Sequence, residues 1–184
     1  AANPRENTRH RIEHCSIVDL PTIERIKRLG VVPIPGTSFL HYTRPAYEQN
    51  LGKDRFRYAY AMKTYAKHGI VAAASSDAPV VPVDPLIGIQ TMVTRKDRLG
   101  EDAWQEERVP VEEAIRAYTI NAAEALKQAD ITGSLEPGKK ADFIVLDQDI
   151  FALADSGETD RISETTVLET WFGGEKVYSS DEYP

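Results

Sequence analysis

Two side chains that suit metal and proton chemistry stand near the ends of short strand-like stretches. His14 lies near the end of a predicted strand over residues 11–18, and Asp77 follows the apolar run Ile70 to Ala74. A neutral imidazole and a carboxylate that converge can bind a divalent metal, typically zinc, which lowers the pKa of bound water to about 7. The pair therefore indicates chemistry with metal-activated water, provided that the two side chains meet.

Both residues also have an ordinary structural interpretation. A catalytic zinc keeps about three protein ligands, and this pair supplies two. Asp77 can simply open the turn before Pro79, and His14 can be a hydrogen-bonded structural histidine. A thiol and imidazole pair of Cys15 with His14 is not expected, because neighbouring residues of a strand point to opposite faces.

A third group of candidate residues lies in the stretch from Gly36 to Asp54. This stretch is too long for a simple connection and is rich in aromatic, Arg and His residues, so we predict a loop over a site. On this loop, His41, Tyr42 and Arg44 can contact an anionic or aromatic substrate. The alternative, that they are ordinary polar loop residues, stays open.

The elements that must position these residues alternate over the first 75 residues of the chain. The pattern predicts strands at 11–18, 31–35 and 70–74, with helices from Asp19 to Gly30 and from Arg55 to His68. Such alternation is typical of a parallel sheet with covering helices, whose strands end at one edge. His14 and Asp77 are therefore predicted to reach the same edge of the sheet.

Local patterns also describe single elements. Ile23, Ile26 and Leu29 fall on one face of the first helix. Arg11 and Glu13 share one face of the first strand, where a sheet covered on both sides would bury them, so we expect them to form structural ion pairs with each other or with neighbouring residues.

The second half of the chain changes from helical to strand-like patterns. Asp84 predicts a helix from Pro85 to about Thr94, and a further helix follows Pro110 with apolar spacing up to Leu126. Between them, residues 96–108 are predicted to be a charged, solvated connection. The remaining predictions are a strand at 142–146, two strands around Gly173 and Gly174, and an irregular surface segment at 148–164.

Composition limits the classes of partner. The 184 residues fit one domain, or one large and one small domain. The net charge of −7 argues against a nucleic-acid surface, because phosphate binding needs a basic face. No apolar run approaches the roughly 20 residues of a membrane span, and the first residues lack the apolar segment of a signal peptide. The single cysteine, Cys15, excludes an internal disulfide and is compatible with a reducing compartment. We therefore expect a cytoplasmic protein that acts on small molecules.

Three motifs, each weak alone, occur in an order and spacing that make a family resemblance specific. They are HRIEHC at residues 10–15, SSDAPVVPVDPLIGIQTMVT at 75–94 and GSLEPGKKADFIVLD at 133–147, with YTINAAEAL between the last two. Together they resemble the C-terminal portion of the amidohydrolase superfamily, in particular metal-dependent hydrolases of the amidohydrolase-3 type. The resemblance covers nearly the whole chain.

The resemblance implies an α/β fold and a hydrolytic function. Residues 1–128 would form strands six to eight of a (β/α)8, or TIM, barrel with their helices, and residues 129–184 would belong to a small β-sandwich. His14 matches the family's strand-six histidine, a metal ligand or a substrate contact. Asp77 matches the strand-eight aspartate, which binds a divalent metal, with zinc the expected ion, and serves as base toward water and as acid toward the leaving amine. The implied reaction is hydrolysis of an amide or cyclic amide C–N bond.

The departure from the family pattern also carries expectations. The HxH pair of strand one, the bridging residue of strand four and the histidine of strand five have no counterpart here. The chain is therefore interpreted as the last third of such an enzyme, inactive alone, and its open barrel edges predict self-association. The alternative is a non-catalytic binding or regulatory module that retains the barrel scaffold.

Overall fold

Parallel strands linked by a helix form the first part of the fold. A computed structural model describes residues 7–181, and an isolated parallel pair and an antiparallel three-stranded sheet make up its strands. The elements in the first half are β1 (Arg11–His14), α1 (Leu20–Leu29), β2 (Val32–Pro35), α2 (Phe39–Phe56), α3 (Met62–Lys67) and α4 (Pro85–Thr94). Those in the second half are α5 (Val111–Tyr118), α6 (Ile120–Ala125), β3 (Phe143–Leu146), α7 (Ile150–Asp155), β4 (Val167–Phe172) and β5 (Glu175–Ser179). Short 3-10 helices cover Gln105–Glu107 and Thr159–Glu164. The α/β prediction is confirmed.

Helix α1 begins and ends where its sequence signals stand. The Asp19 carboxylate accepts a hydrogen bond from the Thr22 N–H at 2.9 Å, and Gly30 ends the helix at φ 61°. Ile23 and Ile26 are buried, whereas Leu29, the third apolar position of the helix, is 58 % exposed. The buried residues of α1 belong to the main hydrophobic cluster, which Cys15 and Val31 also join. In the parallel pair of β1 and β2, Ile12 lies beside Pro33.

The segment 70–75 runs beside β2 without forming a regular strand, which corrects the predicted strand at 70–74. The N–H groups of Ala73 and Ser75 donate to the carbonyl oxygens of Pro33 and Pro35 at 3.1 and 3.0 Å. Proline has no N–H, so neither Pro33 nor Pro35 can donate a bond in return. The sequence predicts the place of the segment correctly. The hydrogen bonds that β2 would donate to it cannot form, so the segment lacks the two-way pairing of a regular strand.

Residues 36–54 form most of helix α2, so the predicted loop is wrong. The helix has a low amphipathic character, contains Pro45 and is interrupted at Gly52, where φ is 69°. It is held by an aromatic cluster that joins it to distant residues, in which the Tyr47 and Tyr60 hydroxyls lie 2.8 Å apart. The cluster comprises Phe39, Leu40, Tyr47, Phe56, Ala59, Tyr60, Ala103 and Trp104. Long-range packing therefore decides the conformation here.

The connection after α4 is anchored by buried charges, which corrects the prediction of a solvated segment at 96–108. Arg95 is 2 % exposed and its guanidinium donates to four carbonyl oxygens at 2.9–3.3 Å, those of Ala59, Tyr60, Ala103 and Trp104. Burial lowers the pKa of Arg95 to about 10, with Glu107 opposing that shift, so the side chain stays charged at neutral pH.

Glu107 is a buried acidic residue near Arg95, and we call the two residues the anchor. Its carboxylate accepts a bond from the Thr64 N–H at 3.0 Å and a second from the Thr64 hydroxyl. The anchor therefore links the connection to α3 as well as to the aromatic cluster.

The C-terminal part contains the expected antiparallel strands and one unexpected helical segment. β3 pairs with β4 and β4 with β5, and the β4–β5 turn lies at Gly173 and Gly174, as predicted. Residues 148–164, predicted to be irregular surface, instead contain α7 and a 3-10 helix. Their Ile150, Leu153 and Ile162 are buried in the main core, which explains why the segment is ordered. The helix predicted after Pro110 is broken at Thr119 into α5 and α6.

The helices within residues 7–181 do not include a candidate membrane span. Within that range no helix combines the length and the apolar character that crossing a bilayer requires.

Candidate active site

The structure brings His14 and Asp77 together at the carboxyl end of the parallel strands. His14 is the last residue of β1. Asp77 comes two residues after Ser75, whose N–H donates a hydrogen bond to the Pro35 carbonyl at the end of β2. The His14 Nδ1 atom lies 3.8 Å from the Asp77 Oδ2 atom, and the two side chains are 61 % and 40 % exposed. Two residues more than 60 positions apart in the sequence therefore share one open, solvent-accessible rim.

The backbone at both residues is in the left-handed region. His14 has φ 65° and Asp77 has φ 58°. His14 is the centre of a tight turn that the Cys15 N–H closes by donating to the Glu13 carbonyl at 2.8 Å. Left-handed φ values at residues other than glycine cost of order 1–3 kcal/mol each and concentrate at functional sites. The turns direct both side chains to the rim at an energetic cost that the fold sustains.

Local hydrogen bonds fix the turn that carries Asp77. The Ser75 hydroxyl accepts a bond from the Asp77 N–H at 3.1 Å, and the Val80 N–H donates to the Asp77 carbonyl at 2.9 Å. These bonds use only the backbone of Asp77. Its carboxylate is therefore held in place by the turn while remaining open to solvent.

The separation of the two side chains bears on metal binding. At 3.8 Å the His14 and Asp77 atoms are too far apart for a direct hydrogen bond. Ligand atoms about 2.1 Å from a tetrahedral zinc ion lie about 3.4 Å from each other, so a small adjustment would let this pair share one ion. The donor types suit zinc, but they are only two. Across residues 7–181, no group of three or more His, Cys, Asp or Glu side chains is arranged to hold a metal.

Cys15 and Tyr65 form a buried pair next to the end of β1. The Cys15 sulfur lies 3.3 Å from the Tyr65 hydroxyl oxygen, and the same hydroxyl donates to the Cys15 carbonyl at 3.4 Å. Burial raises the pKa of the Cys15 thiol, which therefore stays protonated at neutral pH. Cys15 is thus a packing residue. The sequence offered no local signal for Tyr65, because its contact spans 50 positions of the chain.

His41 and Arg44 lie on helix α2, and Arg44 is engaged in ion pairs. Arg44 Nε donates to Asp97 at 2.7 Å and Arg44 Nη1 donates to Glu48 at 2.6 Å, which raises the pKa of Arg44. Its side chain is 14 % exposed. The structure thus gives Arg44 a structural task, and its role as a substrate contact stays a prediction.

His41 is less tightly engaged than Arg44. Its ring contacts the edge of Tyr42, with centroids 4.8 Å apart, and partial burial lowers the pKa of the imidazole. A neutral, half-buried imidazole can line a site and donate or accept a hydrogen bond there. Its contact with substrate likewise stays a prediction.

Comparison with known proteins gives one family and several relatives. A family model described as the amidohydrolase family matches residues 1–178. A putative amidohydrolase of Bacillus subtilis, YtcJ, is 36% identical over 180 residues, which is 96% of this chain and 33% of that protein. The N-substituted formamide deformylase of Arthrobacter pascens is 29% identical over 171 residues, which is 89% of this chain and 30% of that protein.

A solved structure supports the same grouping. An uncharacterized metal-dependent hydrolase from Pyrococcus horikoshii superposes with a TM-score of 0.70 at 28% identity, over 79% of this chain and 30% of that chain. The chain therefore spans about a third of the length of the curated relatives it matches.

Proposed function

Because the chain belongs to the amidohydrolase family, we propose that the protein hydrolyses an amide or cyclic amide C–N bond of a small molecule with metal-activated water, and that His14 and Asp77 lie in its active site. The observation that carries the proposal is the 3.8 Å approach of the His14 imidazole to the Asp77 carboxylate at the strand ends. The relative that is named a formamide deformylase supports an amide as the substrate class.

The proposal also includes the larger architecture. β1, β2 and the segment 70–75 would be strands six to eight of a (β/α)8 barrel within residues 1–128. The sheet of β3, β4 and β5 would belong to a small β-sandwich within residues 129–184. The parallel pairing of β1 with β2 through α1 and the antiparallel pairing of β3 to β5 support this division. Catalytic residues of such barrels lie at the carboxyl ends of strands, where His14 and Asp77 stand.

Each of the two side chains has a distinct task in the proposed reaction. His14 would hold the metal through an imidazole nitrogen, and Asp77 would hold it through one carboxylate oxygen. A zinc ion held there would supply water with a pKa of about 7. The Asp77 carboxylate would accept a proton from the attacking water and would later donate it to the leaving nitrogen. Its 40 % exposure leaves room for a substrate to approach. The remaining metal ligands would come from outside residues 7–181.

The test uses the full-length protein that carries this sequence. Turnover of a panel of N-formyl amines and cyclic amides is measured as the amine released from the former and the ring-opened product of the latter, and elemental analysis measures bound metal. Asp77→Asn is expected to lower kcat/KM by about 10²–10⁴-fold, as expected for removal of a proton-transfer group. His14→Ala is expected to lower the bound metal.

Asp160→Asn is the matched control for these variants. Asp160 is similarly exposed, at 57 %, and pairs with Lys96 away from the strand ends. Its substitution is expected to leave turnover unchanged. Full turnover in Asp77→Asn would refute the assigned role.

A second candidate function is a non-catalytic binding module on the same scaffold. It is favoured by one observation: within residues 7–181 no set of three metal-binding side chains converges. If the full-length protein retains no metal after purification with added zinc and turns over no amide in the panel, this alternative replaces the first.

A further inference from the structure

The turn that carries His14 is held by contacts from elsewhere in the fold. His14 and Cys15 are consecutive residues in the left-handed region, with φ 65° and 36°. This conformation is unfavourable for residues other than glycine and persists only where the surrounding structure holds it. Within the turn, the Cys15 N–H donates to the Glu13 carbonyl at 2.8 Å. Contacts to the turn from distant residues therefore decide where the His14 imidazole lies.

One of these contacts comes from the backbone of Tyr60. The Tyr60 N–H donates to the Ser16 carbonyl at 2.8 Å. The Tyr60 carbonyl in turn accepts a hydrogen bond from the Arg95 guanidinium at 3.3 Å. Tyr60 and Arg95 are both buried, so this link lies in the interior of the protein. The chain two residues beyond His14 is therefore tied to the anchor.

The second contact comes from the side chain of Tyr65 on α3. The Tyr65 hydroxyl donates to the Cys15 carbonyl at 3.4 Å and lies 3.3 Å from the Cys15 sulfur. Burial raises the pKa of the Cys15 thiol, so the thiol keeps its proton and can donate to the Tyr65 oxygen while the Tyr65 hydroxyl donates to the carbonyl. Tyr65 is fully buried, and bulk solvent does not replace a hydrogen bond that is lost there.

Helix α3 presents Tyr65 from a fixed position. Thr64, the residue before Tyr65, donates its N–H and its hydroxyl to the buried Glu107 carboxylate, the N–H at 3.0 Å. A buried carboxylate that loses its donors is costly, so these bonds hold the first turn of α3 against the connection after α4. The anchor therefore fixes both supports of the turn, α3 and the backbone at Tyr60.

The two supports act on the residues that directly follow His14. We propose that Tyr65 is a positioning residue for His14: its hydroxyl holds Cys15 in the left-handed region and thereby sets the direction of the His14 imidazole. The inference rests on the proposed function, in which His14 binds the metal. The His14 Nδ1 atom lies 3.8 Å from the Asp77 Oδ2 atom, close to the spacing of two ligands of one ion. A turn that is no longer held loses this spacing and binds metal more weakly.

Zinc affinity of the full-length protein that carries this sequence tests the assignment. Tyr65→Phe keeps the buried ring and removes only the hydroxyl. It is expected to bind zinc about 10-fold more weakly in competition with a zinc-chelating dye, because residues that orient a metal ligand typically contribute about 10- to 100-fold to metal affinity. The absorption spectrum of the cobalt(II)-loaded protein, which reports ligand geometry, is expected to change as well.

Tyr47→Phe is the matched control. The Tyr47 hydroxyl lies 2.8 Å from the Tyr60 hydroxyl, so this variant also removes one hydroxyl from a hydrogen-bonded pair, but that pair lies in the aromatic cluster and not at the turn. Both variants are expected to unfold at a lower urea concentration than the wild type. Tyr47→Phe is expected to keep the zinc affinity and the cobalt spectrum of the wild type.

Amide hydrogen exchange of the metal-free full-length protein supplies a measurement that does not depend on metal binding. The Cys15 amide, which closes the turn onto Glu13, is expected to exchange several-fold faster in Tyr65→Phe than in the wild type or in Tyr47→Phe. Unchanged exchange of this amide in Tyr65→Phe would overturn the proposal, because the hydroxyl would then not hold the turn.

The zinc measurements separate failure of this inference from failure of the proposed function. If His14→Ala loses zinc but Tyr65→Phe binds it like the wild type, the positioning role is overturned and the proposed hydrolysis stands. An equal loss in Tyr47→Phe, or a Tyr65→Phe variant that does not fold, would also overturn the role, since the hydroxyl would then serve packing alone. If His14→Ala binds zinc like the wild type, the metal role of His14 falls, and the positioning role falls with it.

Discussion

The rim with His14 and Asp77 and the anchor with Arg95 and Glu107 use charged side chains in opposite ways. At the anchor, Arg95 is 2 % exposed and its guanidinium donates to four carbonyl oxygens. At the rim, the His14 and Asp77 side chains stay open to solvent and approach each other only to 3.8 Å. Both regions contain residues with positive φ, Arg95 at 52° and Asp77 at 58°.

The difference separates charges that hold the fold from charges that are available for chemistry. In the part of the chain that the structure describes, every buried side-chain nitrogen or oxygen has a hydrogen-bond partner. A buried charge without partners is costly, so Arg95 has little freedom to do anything except bind its carbonyls. The rim residues contribute little to packing, so we expect their substitution to change activity more than stability.

Arg95→Met is expected to have the largest effect on stability. It removes the side-chain donor from four carbonyl oxygens, of which those of Tyr60 and Trp104 keep a backbone N–H donor, and it removes the positive charge near Glu107. We expect a loss of about 3–5 kcal/mol in the free energy of unfolding, measured by urea denaturation. Arg108→Met, at an exposed arginine of the same connection, is the control and is expected to change stability by less than about 0.5 kcal/mol. Equal effects of the two variants would remove the basis of the comparison.

Asp97→Asn is expected to have an intermediate, pH-dependent effect. Burial raises the pKa of Asp97, but hydrogen bonds from Arg44 and from the Glu101 and Leu99 N–H groups outweigh it, and the pKa lies below its usual value. A lowered folded-state pKa contributes stability above the ordinary Asp pKa of about 3.9, and this contribution is lost as the pH falls through the folded-state value. The wild type should exceed the variant by about 1–3 kcal/mol at pH 7.

The same measurement repeated across pH sharpens that prediction. The difference between wild type and Asp97→Asn should hold from pH 7 down to about 5 and shrink below about pH 4. A difference that does not depend on pH would show that the lost contact is not the ionised carboxylate. Asp160→Asn, whose carboxylate is exposed, provides the comparison curve.

Asp77→Asn is expected to have the smallest effect on stability. Its carboxylate is 40 % exposed, and the turn bonds at Asp77 use the backbone, which asparagine retains. Asparagine also tolerates the left-handed conformation. The free energy of unfolding should change by less than about 0.5 kcal/mol. A loss similar to that of Arg95→Met would show that the rim carries the fold as well.

The sequence predicts those features whose causes are local. Asp19, Gly30 and Asp84 signal helix ends because capping involves residues within one turn of the chain. The approach of His14 to Asp77 follows from the rule that parallel strands end at one edge. These are short-range or topological arguments, and they need no knowledge of packing.

Other features depend on contacts that a local pattern does not contain. Helix α2 is stabilised by an aromatic cluster drawn from residues 39–104, and α7 is ordered by burial of Ile150 and Leu153 in a distant core. The ion pair of Arg44 with Asp97 spans 53 positions, so Arg44 could not be recognised as a structural residue. Arg11 and Glu13 do pair with each other, one of the two predicted arrangements, but the pair is exposed, and within residues 7–181 β1 pairs with β2 alone.

The prolines of β2 also bear on the order in which the chain folds during synthesis. Segment 70–75 donates hydrogen bonds to the Pro33 and Pro35 carbonyls but receives none from the prolines. The hydrogen bonds at its other edge involve Ala117 and Asn121. Those two residues are synthesised some 40 positions after Asp77. We therefore expect segment 70–75 to complete its hydrogen bonds only after the helices that follow it have been translated and have docked.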